Sequence, residues 1–165
     1  MKDPISRRTC ETGPVPDLIV SRDIAAPSDA IWRLVSNLPN MGELSPENVG
    51  GMWLKGANGP ALGAKFKGNN KNGDKSWSTT ATVSECVPGK EFGFRVTVGP
   101  IKVAHWHYVI VDRGNGICTV TESWTDRRPG FIKRMGTIPS GVADRSVHNR
   151  TGMEETLRKL EAALA

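Results

Sequence analysis

Between Val49 and Thr125 the chain is a succession of short stretches that alternate apolar and polar residues, with no helical pattern between them. The stretches are Val49–Lys55, Ala64–Gly68, Lys75–Cys86, Glu91–Val98, Lys102–Asp112 and Gly116–Thr125. Glycine, proline and asparagine separate them, as in Gly68-Asn-Asn-Lys-Asn-Gly73, Pro88-Gly89, Gly99-Pro100 and Arg113-Gly-Asn-Gly116. Period-two alternation predicts strands, and turns this tight let successive strands pair only antiparallel. A parallel sheet needs a crossover between strands, so it is excluded.

Upstream, Asp17–Ile24 predicts one more strand. Ser28 is placed to cap a short helix over Asp29–Ser36, and Pro39 stops it. Leu38–Glu47 predicts a second short helical or irregular piece, with Met41 and Leu44 as its apolar residues. Downstream, Pro129–Ile138 is a basic connection with room for a helical turn. The run Gly141–Ala165 is the longest stretch that can form one helix, with Ser140 as its expected N-cap. A sheet of about seven strands curls, and one long helix is the natural plug for its concave side.

That last helix has a divided face. At 3.6-residue spacing Val142, Ser146, Asn149, Met153, Leu157, Leu160 and Leu164 align. Its later turns carry Met and Leu, as packed helices do, while its first turns carry Ser and Asn. Two arrangements satisfy this pattern. In one, the helix covers a packed core at one end and a cavity at the other. In the other, Ser146 and Asn149 face solvent and the helix starts late, with the Thr151-Gly-Met-Glu154 capping pattern marking a break near Gly152.

The order of elements is that of the helix-grip arrangement, and the sequence resembles the START/Bet v 1-like superfamily (SRPBCC), polyketide cyclase/dehydrase-like branch. The matching residues are Ile24-Ala-Ala-Pro-Ser-Asp-Ala-Ile-Trp32, Leu62-Gly-Ala-Lys-Phe-Lys-Gly68 leading to Trp77, Trp106-His-Tyr108, Thr119-Val-Thr-Glu-Ser-Trp124 and Gly152-Met-Glu-Glu-Thr-Leu-Arg-Lys-Leu160. The resemblance implies an α+β fold: a curved seven-stranded antiparallel sheet around a C-terminal helix, with two short helices between strands 1 and 2. It also implies an internal pocket for lipids, sterols, polyketides or similar molecules. It implies no particular reaction. On this reading residues 1–16 are a flexible tail and 17–165 the ligand-binding domain.

Alternation then nominates a lining. Phe66, Trp77, Thr79, Phe94, Val96, Trp106 and Tyr108 point inward from their strands, joined by Met41 and, from the last helix, Arg145, Ser146, Asn149 and Met153. Glu122 also falls on an apolar face, between Val120 and Trp124. A carboxylate there must be paired, hydrogen-bonded or protonated. Tyr108, Arg145 or a backbone group could satisfy it, and a raised pKa would equally suit proton transfer. His105 and His107 share the opposite, outer face, where two ligands alone make no zinc site. Asn69 and Asn70 are expected in a turn, or at the pocket rim.

Composition narrows the remaining classes. The chain has 165 residues and a net charge of +5, all of it located between Arg127 and Arg150. A basic patch containing Phe131, Ile132 and Met135 suits solvation, an acidic ligand or an anionic membrane surface, with contact through Arg127, Arg128, Lys133 and Arg134. The aromatic interleaving of a nucleic-acid platform is missing. The three cysteines, Cys10, Cys86 and Cys118, cannot all pair and none lies in a CxxC motif, which predicts a reduced, cytoplasmic protein. Met1–Asp17 has no apolar h-region, so no export signal is expected. No phosphate loop, GxSxG, dinucleotide fingerprint or HExxH occurs, and neither metal nor cofactor is expected. Two functions remain. One is binding of a small hydrophobic molecule for carriage, sensing or sequestration. The alternative is a cyclase/aromatase/dehydratase-type enzyme using Glu122 and Tyr108.

Overall fold

A computed structural model describes residues 15–134 and 140–165. Its elements in order are β1 (Leu18–Ile24), α1 (Ser28–Val35), a 3₁₀ helix (Leu38–Glu43), β2 (Asn48–Trp53), β3 (Lys65–Asn72), β4 (Lys75–Val87), β5 (Glu91–Val98), β6 (Ile101–Gly114), β7 (Ile117–Asp126), α2 (Gly130–Arg134) and α3 (Arg145–Leu164). The seven strands form one antiparallel sheet in the order β1-β7-β6-β5-β4-β3-β2. This is the expected helix-grip fold. Of the tail expected over residues 1–16, all but Val15 and Pro16 lie outside the described residues, as do Cys10, Met135 and the end of the basic connection.

The meander folds as its turns dictate, and β1 then closes on β7 with Leu18 opposite Trp124 and Ile24 opposite Cys118. Register shifts in β2, at Ser84, between Val96 and Thr97, and near Arg113 bend the strands. In β2, Gly51 adopts φ +156°, and a Cβ there would stand 2.0 Å from the Lys67 carbonyl and 2.6 Å from the Phe66 ring. Only glycine lets this edge strand lie against Phe66.

The helices divide the concave side. α1 presents Ile31 and Val35, both fully buried, and meets β5 and β6. The 3₁₀ helix lies on β2 and β3 through Leu38 and Met41. α3 packs on β1, β7 and α1 with Met153, Leu157 and Leu160. Two expected caps differ from those observed. Ser28 is the first helical residue and the N-cap of α1 is Pro27, without a side-chain bond. α3 begins at Arg145, where Asp144 Oδ1 accepts from the backbone N–H groups of Ser146 and Val147 at 3.0 and 3.1 Å. Ser140 cannot cap because Gly141 after it adopts a left-handed φ of +68°, which no first helical residue can have, so the helix starts later, behind Asp144. No break occurs at Gly152: Thr151 instead donates to the Val147 carbonyl four residues back, at 3.2 Å. Among the described residues no helix is long and apolar enough to cross a membrane.

Packing, more than capping, holds α3 in place. Leu157→Ala is therefore expected to lower stability by roughly 2–5 kcal/mol, and Asp144→Ala by only about 1 kcal/mol, measured from urea unfolding midpoints. Equal losses in the two variants would contradict this assignment.

Candidate functional site

Seating α3 over β1 and β7 leaves the concave faces of the middle strands uncovered. There the molecule holds a cavity of about 450 Å³. Phe66, Thr79, Ala81, Phe94, Val96, Trp106, Tyr108 and Trp124 wall it from the sheet, and Leu38 and Met41 from the 3₁₀ helix. Trp77, Val98, Ile101, Ile132, Arg145 and Asn149 stand at its far end, where Val98 and Ile101 are exposed.

Strand alternation thus brings together Met41, Phe66, Trp77, Thr79, Phe94, Val96, Trp106 and Tyr108, and α3 adds Arg145 and Asn149. Three of the nominated side chains lie elsewhere. Ser146 is exposed, because on the first turn of α3 only the flank carrying Arg145 and Asn149 faces the protein. Met153 is buried with Leu18, Ala104 and Trp124 in the packed half of the molecule. Glu122 is buried behind Tyr108 and does not wall the cavity.

Glu122 and Tyr108 face each other across β7 and β6. The Tyr108 hydroxyl donates to Glu122 Oε1 at 2.8 Å. Burial pushes the Glu122 carboxyl up to about 8, against the pull of the Tyr108 hydrogen bond. Burial and the adjacent carboxyl likewise raise the phenol well above its ordinary value. At neutral pH the carboxyl is thus protonated. Oε2 has no partner among the described residues, so it is the site left for that proton. The result is a neutral acid held behind the one tyrosine of the chain, with the tyrosine on the cavity wall.

The other end is ionic. Arg145 Nη1 donates to Glu47 Oε1 at 2.7 Å and to Asn149 Oδ1 at 3.4 Å, and its guanidinium lies 5.9 Å from the Trp77 ring centroid. His148 Nε2 approaches the same Glu47 oxygen at 3.3 Å. Arg145 therefore pairs with Glu47, not with Glu122, which sits out of its reach at the tyrosine end. Asn70 also reaches the cavity, from within β3, where its side-chain amide donates to Thr79 Oγ1 at 3.3 Å. The Asn-rich segment is strand, not turn, through Asn72, because its pairing with β4 continues to Asn72–Lys75. Asn69 points outward and accepts from Ser78 at 3.0 Å.

Glu47, Asn48 and Arg128 were not expected to line the cavity: Glu47 and Arg128 lie in connections without a period, and Asn48 opens β2 just before its register shift. Val98 and Trp124 were legible as the next inward positions on their strands. On the outer face the two histidines are half-buried and stack with centroids 5.9 Å apart. His105 meets Glu85 at 3.0 Å and His107 meets Glu91 at 3.2 Å. The bulge at Ser84 turns Glu85 outward, which parity counting from Val83 does not foresee. Burial would raise the Glu85 carboxyl, yet the hydrogen bonds of His105 and Ser84 hold it down to about 2. Among the described residues no three His, Cys, Asp or Glu side chains are grouped to hold a metal ion. Cys86 and Cys118 are free thiols packed in or against the core.

Comparison with solved structures places this architecture. The major latex-like protein 151 of Panax ginseng superposes with a TM-score of 0.67 at 13% identity, over 89% of this chain and 95% of that one. A START superfamily protein of Mycobacterium smegmatis gives 0.65 at 16% identity, over 89% and 95%. The di-domain ARO/CYC StfQ of the steffimycin biosynthetic pathway gives 0.64 at 13% identity, over 89% of this chain but 44% of its own. The chain thus spans less than half of that di-domain protein. At these identities the likeness is one of fold. No curated protein matches the sequence. The family described as "Polyketide cyclase / dehydrase and lipid transport" matches residues 17–165. With residues 17–165 of 165 matched, the chain belongs to that polyketide cyclase/dehydrase and lipid transport family.

Proposed function

We propose that this protein binds one small hydrophobic molecule, of lipid-, sterol- or polyketide-like character, between its sheet and α3, for carriage, sensing or sequestration. One observation carries the reading: a largely apolar, aromatic-walled cavity of about 450 Å³ with Tyr108 at one end and the Glu47–Arg145 pair at the other. Such a volume falls in the ordinary range for small-molecule sites. The family's description, which spans cyclases, dehydrases and lipid transport, is compatible with it.

The distribution of polarity supports an amphipathic guest. Phe66, Phe94, Val96 and Trp106 offer contact area without hydrogen bonds. Tyr108 offers one hydroxyl oxygen deep inside, since its proton is engaged by Glu122. The Glu47–Arg145 pair and Asn149 offer donors and acceptors at the other end. Fluorescence titration with 1-anilinonaphthalene-8-sulfonate is expected to show one saturable site per chain. Val96→Trp, which places an indole in the cavity, is expected to weaken that binding by about tenfold or more while leaving the strand signal in circular dichroism unchanged. Undiminished binding in a folded Val96→Trp protein would refute the site. Native mass spectrometry of protein freshly purified from its own cells would then identify the natural guest.

The Tyr108–Glu122 pair favours one second reading, an enzyme of cyclase, aromatase or dehydratase type. For this the pair must reverse its hydrogen bond: with the carboxyl proton on the oxygen that faces the phenol, Glu122 passes it to the tyrosine oxygen as the tyrosine gives its own to a bound substrate, and is left as the carboxylate. On this reading Tyr108→Phe lowers turnover of a polyketide-like substrate by about 10²–10⁴ and leaves its binding intact. An unchanged rate in Glu122→Gln would remove the idea.

Both the proton inventory and the sign of its effect on stability can be measured. The unfolded carboxyl loses its proton near its ordinary value of 4.5, the folded one at about 8. Between those values the folded state binds more protons, so stability falls as pH rises and levels off above the folded value. Urea unfolding of the wild type is expected to weaken from pH 5 to pH 8 relative to Glu122→Gln, by at most about 1.4 kcal/mol per pH unit. Parallel pH profiles would show Glu122 to be ionised throughout.

A further inference from the structure

Two structural elements that edge the cavity also carry exposed apolar side chains. The β5–β6 hairpin offers Val98 and Ile101 on either side of its turn, 42% and 37% exposed. α2 offers Phe131, 66% exposed, next to Ile132, which lines the cavity. A phenylalanine this exposed on a five-residue helix contributes nothing to the core. Around it stand Arg127, Lys133 and Arg134, all exposed, with Lys102 following the hairpin turn. Arg128 is committed to Asp126, which accepts from its Nε at 2.9 Å and from its Nη2 at 2.6 Å. Lys133 lies 3.5 Å from the same carboxylate. Asp126 and Asp17, which accepts the Asp126 N–H at 2.8 Å, are the acids seen at this spot. Among the described residues Lys102, Arg127 and Arg134 meet no carboxylate.

We propose that this rim, Val98, Ile101 and Phe131 ringed by Lys102, Arg127, Lys133 and Arg134, docks the cavity mouth onto an anionic lipid bilayer. Apolar side chains beside cations fit the boundary between acyl chains and acidic headgroups: the first enter the hydrocarbon edge and the second stay with the phosphates. Nucleic acid shares the charge but not the rest. It would leave Val98, Ile101 and Phe131 unburied, and the patch holds a single aromatic ring where a base-stacking platform needs several. The position adds a consequence. Because Val98, Ile101 and Ile132 belong at once to the rim and to the cavity, a docked mouth opens toward lipid and not toward water. The proposal goes beyond ligand binding and does not depend on which molecule the cavity holds.

Co-sedimentation with two kinds of vesicle tests it, one of phosphatidylcholine alone and one of phosphatidylcholine and phosphatidylserine in roughly equal parts. Binding is expected to the mixed vesicles at low salt, to fall steeply with added salt, and to be at least about tenfold weaker on the neutral ones. Replacing Arg127, Lys133 and Arg134 together by Gln is expected to cut binding to mixed vesicles by about thirtyfold or more. Phe131→Ser is expected to cut it by about tenfold without altering its salt dependence. All four side chains are exposed, so the fold and the titration with 1-anilinonaphthalene-8-sulfonate should be unchanged in both variants. Loss of probe binding in the wild type would refute the cavity site and leave docking standing. The docking proposal is overturned if no vesicle is bound at low salt, if the Gln variant binds as the wild type does, or if a short single-stranded RNA displaces the vesicles and is bound equally by Phe131→Ser.

Discussion

One helix cannot cover this sheet. Seven strands at about 4.8 Å spacing make a surface roughly 30 Å across, and a helix with its side chains is only about 10 Å wide. The position of α3 therefore decides what the interior is. It sits at the β1–β7 edge, where Leu18, Val120 and Trp124 are buried with Met153 and Leu157. α1 and the 3₁₀ helix close part of the rest. What no helix reaches is lined instead by large side chains of the sheet itself. Phe94 and Trp106 occupy volume that a second long helix would otherwise fill. The cavity is thus a geometric remainder, kept open because curvature holds the middle strands away from α3.

A remainder of this kind changes the chemistry of whatever borders it. Glu122 lies on the seam between the packed half and the open half, with Tyr108 between it and the cavity. In the packed half a carboxylate has no water to solvate it, which is why burial outweighs the hydrogen bond it accepts. Neutralisation by a proton is a cheaper answer than an ion pair, since Arg145 and Arg128, the arginines that line the cavity among the described residues, are already held by Glu47 and Asp126 at the opposite end. The molecule so keeps a proton store beside an apolar space and an ion pair at its entrance, and the two do not neutralise each other.

How much of this can be read from residues alone depends on periodicity. The strand faces were legible, because a half-buried strand repeats every two residues and Phe94, Val96, Trp106 and Tyr108 could face only one way. The fold was legible for a related reason: tight turns between every pair from β3 to β7, and a β2–β3 connection without a helix, leave one topology open. The divided face of α3 was legible only in part. Asn149 borders the cavity, yet Ser146, on the same stripe, faces water, because a helix wheel does not tell where the partner surface ends. Glu47 carried no signal, since an irregular connection has no period, and Asn48 stands at the start of β2 beyond a register shift that breaks the alternation. The outward turn of Glu85 was lost to a bulge, which adds one residue and reverses the parity that the rest of the strand obeys.

The same limits explain why the mouth is the least foreseeable part of the molecule and the part where its charge is concentrated. Turns and connections, not strand interiors, form that end: the hairpin at Gly99-Pro100, the segment before β2, α2 and the first turn of α3. Such segments can carry charge or exposed apolar groups without disturbing the sheet, because no core position constrains them. Polarity on the sheet wall of the cavity is restricted by what the sheet can bury, and its ionic groups, Glu47, Arg128 and Arg145, come from connections and from α3. Discrimination between guests must then come mainly from shape along the aromatic wall, and access from the chemistry of the rim. Phe131, Arg127, Lys133 and Arg134 can change without altering the aromatic wall, since they lie after β7 and do not line the cavity, whereas Val98, Ile101 and Ile132 belong to both.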